Sequence, residues 1–108
     1  MRVISQDGTM DVPYENVVLY QDEKEIMCIF SGIYIGRKLA QYSTEEKALT
    51  AMEMLREQYS RIEIIKVLAS GTCKHMEESL KPEEFNDILE KYINMEVFQF
   101  PQDDEIEV

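Results

Sequence analysis

The chain has 108 residues, 44% apolar and 31% charged, a length and balance that give one domain, residues 1–108, with a packed core and exclude a disordered chain. Twenty-two acidic against eleven basic residues give a net charge of −11, which repels phosphate and anionic bilayers and so argues against direct nucleic-acid or membrane-surface binding. No apolar run approaches the roughly 18 residues of a membrane span, and the opening Met-Arg-Val-Ile-Ser-Gln-Asp-Gly has no signal-peptide core, so a cytoplasmic protein with Cys28 and Cys73 as free thiols is expected.

The first forty residues read as strands broken by turns. Arg2 to Ser5 and Met10 to Val12 are short β-type runs around Gln6-Asp7-Gly8-Thr9, in which Asp-Gly favours a tight turn, and a hairpin is predicted to open the chain. Asn16 to Tyr20 and Glu25 to Phe30 are rich in β-branched and aromatic residues, with the solvated turn Gln21-Asp22-Glu23-Lys24 between them. Ser31-Gly32 punctuates before Ile33-Tyr34-Ile35, and past Gly36-Arg37-Lys38 comes the run Leu39 to Tyr42. An antiparallel meander is the simplest arrangement.

At Ser43 the hydrophobic period changes from two to about 3.6 residues. Ser43-Thr44-Glu45-Glu46 has the form of a capping box, and Ala48, Met52, Leu55 and Tyr59 form one apolar stripe of the helix that follows, predicted to cover a face of the meander. Ile62, Ile64, Ile65, Val67 and Leu68 fit a strand better than a helix, with a break at Ser70-Gly71 and a short helix through Cys73, Met76 and Leu80. Pro82 suits the first turn of another helix, with Glu83 and Glu84 at its positive end and Phe85, Ile88, Leu89 and Tyr92 on its inner face. Val97 to Phe100 is a closing strand stopped by Pro101. The fold class is therefore α+β: an antiparallel meander packed against a helix, then a C-terminal helix and strand.

Chemistry-bearing motifs are sparse. Cys73 and His75 cannot complete the roughly four-ligand shell of structural zinc and lack a third group for nucleophilic catalysis, so surface polar residues on a helix are the simpler reading. Gly32 and Gly36 make neither a dinucleotide fingerprint nor a phosphate loop, and no cofactor is expected. The seven methionines fit core positions. A binding protein is expected rather than an enzyme.

Charge is the more informative feature. Residues 1–60 carry ten acids and six bases, residues 61–108 twelve and five, and from Glu83 to Val108 nine acids face only Lys91. Glu83, Asp87 and Glu90 form an i, i+4, i+7 row on the predicted C-terminal helix, spaced by about 4.5 to 6 Å, the same order as phosphates along a DNA strand. Such a row is ordinarily a solvated face, but with the tail residues Asp103, Asp104 and Glu105 it can also imitate a nucleic-acid backbone toward a basic protein surface. Phe98 and Phe100 offer a second candidate contact: an edge strand there would support a homodimer, whereas a strand inside the sheet is more usual.

Three blocks carry a family resemblance: Met1 to Glu15, Tyr42 to Arg56, and Val97 to Glu105 resemble a group of small uncharacterised proteins frequent in prophages and mobile elements of Firmicutes. That resemblance implies a phage or mobile-element setting in a bacterial cytoplasm and supplies no functional residues. By analogy of setting and charge, small acidic phage proteins are often inhibitors of host defence, anti-CRISPR proteins among them, which makes the basic channel of a CRISPR effector the expected partner class. The alternative is a structural or adaptor protein whose charge serves solubility.

Overall fold

The computed structural model describes residues 1–30, 35–79 (68–79 as backbone only), 83, 87, 90 and 93–107. Its strands are β1 (Arg2–Ile4), β2 (Asp11–Pro13), β3 (Val17–Asp22), β4 (Glu25–Phe30), β5 (Arg37–Gln41) and β6 (Val97–Gln99), with one long helix, α1 (Glu45–Ser79), and single 3₁₀ turns at Tyr14–Asn16 and Asp103–Glu105. The architecture is α+β, as the sequence pattern predicts.

The opening hairpin forms: β1 pairs antiparallel with β2, and Gly8 at the turn has φ +77°, a conformation that costs glycine nothing. The meander forms too, in the order β3-β4-β5, all antiparallel. The strands nevertheless divide into two sheets, because β6 lies parallel to β1 in a separate sheet of order β2-β1-β6. Val12, Val3 and Phe98 stand opposite one another across that sheet, a single buried row. Gln6 joins the two sheets: its N–H donates to the Leu39 carbonyl (2.8 Å) and its Oε1 accepts from the Gln41 N–H (3.0 Å).

In the meander the alternation is interrupted once, and usefully. Ile26 faces Ala40 while Met27 faces Lys38, so Leu39 is an extra, bulged residue and both Leu39 and Ala40 are buried. Arg37 and Lys38, expected to precede the strand, belong to it. Ile35, read as part of a strand, lies in a bend and is 71% exposed, and Ile33 and Tyr34 lie outside the described residues. Gly36 packs so closely on Tyr20 that a Cβ there would meet the phenol oxygen at 2.5 Å.

α1 packs across β3 and β4. Its stripe is Ala48, Ala51, Met52, Leu55 and Ile62, the alanines letting the helix approach the buried Ile26 and Cys28. The cap falls one residue later than the Ser43 box: the Lys47 N–H donates to Thr44 Oγ1 (3.1 Å), so Thr44 is the N-cap, while the Ser43 N–H is taken by Asp103. The strand expected over residues 62–68 and the break at Ser70-Gly71 are both overturned, since α1 runs unbroken through them. Ile62 is fully buried and Ile64 is 60% exposed, an arrangement that helical period produces and a strand, with both on one face, does not. The ion pairs Glu57–Arg61 (2.6 Å) and Glu63–Lys66 (3.8 Å) are the helical neighbours that outweigh a weak β-branched penalty. Cys73 and Met76 belong to this same helix, and Leu80 lies outside the described residues.

The closing strand also departs from expectation. β6 is an edge strand and not an interior one, with its other side toward α1, where Gln58 Nε2 donates to the carbonyls of Met95 (2.7 Å) and Val97 (2.9 Å). Phe98 and Phe100 pack edge to face at 5.3 Å, and Ile106 is buried beyond them, so the C-terminal segment is part of the core.

Candidate functional site

Glu83, Asp87 and Glu90 are helical and exposed, and the spacing sets them on one face with successive axial separations of about 6 and 4.5 Å. None of their carboxylates has a hydrogen-bond or ion-pair partner among the described residues. The expected inner face, Phe85, Ile88, Leu89 and Tyr92, and the expected first-turn Pro82 lie outside the described residues.

The three tail acids have different circumstances. Asp103 Oδ1 accepts the Ser43 N–H at 2.6 Å, its Oδ2 lies 3.3 Å from Lys47 Nζ, and its carbonyl accepts from the same ammonium at 2.9 Å. The Ser43 amide, with the Ser43 and Lys47 side chains adding to it, holds the Asp103 carboxyl below its ordinary range. Glu105 Oε1 accepts the Gln102 N–H (3.1 Å) and so caps the 3₁₀ turn it belongs to. Asp104 is exposed and makes no ion pair among the described residues. Of the three, only Asp104 presents a free carboxylate.

On the tail side, Lys47 near the start of α1 holds Asp103, and Gln58 farther along it bonds the carbonyls of Met95 and Val97.

Several residues that organise this region carried no motif. The Pro101 carbonyl accepts from Tyr42 Oη (2.8 Å) and Gln6 Nε2 (3.1 Å), and the Gln6 carbonyl accepts from Gln102 Nε2 (2.7 Å). Burial, with Asp103 and Glu105 nearby, pushes the Tyr42 phenol well above its ordinary value, so it stays a hydrogen-bond donor at every ordinary pH. Lone glutamines give no periodic signal, which is why sequence pattern passes over Gln6 and Gln58. For Tyr42, the signal available was a large aromatic just before a helix cap.

Cys28 is buried in the core, and desolvation pushes its thiol up, away from the reactive thiolate. Among the described residues no group of three His, Cys, Asp or Glu side chains gathers to hold a metal, and no helix is long and apolar enough to cross a membrane. The side chains of Cys73 and His75, and Gly32, lie outside the description.

No protein-family model matches this chain, and no curated protein and no solved structure matches it. What can be said of its class rests on its own residues: an acidic α+β domain built around one long helix.

Proposed function

We propose that this protein is an inhibitor that binds the basic nucleic-acid-binding surface of a host-defence protein, a CRISPR effector channel being the expected example, in the cytoplasm of a bacterium carrying the prophage or mobile element. The single observation that supports this reading is the row Glu83, Asp87 and Glu90, exposed at helical spacing and free of ion pairs among the described residues. Desolvating carboxylates that already have internal cations would cost part of what a partner returns, whereas these have none to give up among the described residues. The resemblance of Met1 to Glu15, Tyr42 to Arg56 and Val97 to Glu105 to prophage proteins supplies the setting. Asp104 extends the acidic surface; Asp103 and Glu105 contribute charge while serving the fold.

The test follows from those roles. Charge reversal of Glu83, Asp87, Glu90 and Asp104 to lysine, sparing Asp103 and Glu105, is expected to abolish binding to a purified CRISPR effector and restore its nuclease activity. Binding by the unaltered protein should weaken steeply with added salt, since the Debye length falls from about 8 Å at physiological strength to about 3 Å at molar salt. Unchanged binding by the reversed protein would remove the mimic mechanism. Self-association through the Val97 to Phe100 edge is the competing proposal, and Gln58 already occupies part of that edge.

A further inference from the structure

Asp7-Gly8 is the single place in the chain where glycine follows Asp or Asn. That dipeptide carries a chemistry of its own. With no Cβ on Gly8 to obstruct the approach, its amide nitrogen can attack Cγ of the neutral Asp7 carboxyl. A C–N bond forms, the carboxyl hydroxyl and the amide proton leave as water, and a five-membered succinimide results. Water then opens the ring at either carbonyl. Opening at one restores aspartate; opening at the other leaves isoaspartate, whose main chain runs through Cβ and is one carbon longer. Nothing is oxidised or reduced, and water is the only co-reactant.

The fold sets three obstacles against this reaction. The first acts on the electrophile: Asp7 Oδ1 accepts from Ser5 Oγ (2.7 Å), Thr9 Oγ1 (2.7 Å) and the Thr9 N–H (3.0 Å), and three donors on one oxygen hold the carboxylate in a single orientation. The second acts on the nucleophile. The Gly8 N–H donates to the Ser5 carbonyl (2.9 Å), which also receives Gln99 Nε2 from β6 (3.4 Å), so attack by Gly8 requires its bond to break. The third is ionisation: lowering the Asp7 carboxyl from 3.8 to about 2 leaves about sixtyfold less of the neutral acid at neutral pH.

Asp7, Gly8 and Thr9 are themselves exposed, so burial does not protect the dipeptide; its hydrogen bonds do. Those bonds converge on Ser5, which is buried, donates its N–H to the Met10 carbonyl (2.8 Å) and accepts the Met10 N–H on Oγ (2.9 Å). Ser5 stands at the end of β1, the central strand of the sheet β2-β1-β6, so all three obstacles come and go with that sheet. We propose that Asp7-Gly8 is an isoaspartate-forming site that the paired β1–β2 hairpin keeps closed and that loss of this sheet opens. The longer main chain would then set Ser5 and Met10 out of register, so a chain converted while unfolded closes the hairpin poorly. This site is independent of the Glu83 row.

The experiment incubates the intact protein at neutral pH, folded and in guanidinium. The tryptic peptide Val3–Lys24 is then analysed by mass spectrometry with electron-transfer fragmentation, which separates isoaspartate from aspartate. Asp11 and Asp22 lie in the same peptide before Val12 and Glu23, whose side chains obstruct ring closure, and they serve as internal standards. Conversion at Asp7 is expected to be at least about tenfold faster in the unfolded chain, a smaller factor than the neutral-acid fraction alone gives because water screens an exposed carboxylate. Thr9→Val removes one of the three donors at an exposed position, with retention of the fold checked by circular dichroism. It should speed conversion several-fold in the folded protein and leave the rate in guanidinium unchanged. Equal rates in folded and unfolded protein, an unaltered rate in folded Thr9→Val, or equal conversion at Asp11 or Asp22 in the unfolded chain would each overturn the proposal.

Discussion

Asp7 shows how much one short side chain can organise. Its Oδ1 accepts from Ser5 Oγ (2.7 Å), Thr9 Oγ1 (2.7 Å) and the Thr9 N–H (3.0 Å), and these bonds lower its carboxyl from 3.8 to about 2. A depressed acid stabilises the fold fully above its unfolded value and loses that contribution as pH falls toward the folded one. Urea midpoints are therefore expected to drop between about pH 4 and about pH 2, and Asp7→Ala should flatten that part of the profile. Asp-Gly advertised the turn in the sequence; the hydroxyls that converge on the carboxylate did not, because Ser5 is buried only once β1 and β2 have paired. The helix cap is a second residue-scale case. Thr44→Ala is expected to cost about 1 kcal/mol in equilibrium unfolding, while Ser43→Ala, whose hydroxyl does not cap the helix, should stay within about 0.5 kcal/mol.

At the level of elements, the meander and the first turns of α1 were legible because period-two and period-3.6 patterns there are clean. Residues 62–68 were not, since a cluster of β-branched residues satisfies either period over so short a window. Burial separates the two: Ile62 continues the stripe of Ala48, Ala51 and Leu55, and Ile64 faces away. Ile62→Ala should cost about 2 to 4 kcal/mol and Ile64→Ala within about 0.5, measured by urea unfolding, whereas a strand would charge both positions alike. β6 was recognisable as a strand from Val97 and its aromatic neighbours, but its parallel pairing with β1 joins residues about a chain length apart and leaves no local trace.

On the scale of the whole molecule, the C-terminal segment is tied to the beginning of α1. Asp103 meets Ser43 and Lys47, Pro101 meets Gln6 and Tyr42, and Ile106 enters the core. Asp103→Ala is expected to speed hydrogen exchange at the Ser43 amide and to lower the melting temperature, because that amide loses the carboxylate it bonds and Lys47 loses its partner. Unchanged exchange at Ser43 would mean that the carboxylate does not hold the start of α1. Composition and periodicity by themselves determined the charge, the α+β class, the opening hairpin, the meander and the helical spacing of Glu83, Asp87 and Glu90, since each depends on neighbours within a few residues. Only tertiary structure decided that Asp103 belongs to the fold and that Gln58 and Gln6 occupy two sheet edges: those facts depend on groups far apart in sequence, whose meeting no local pattern records.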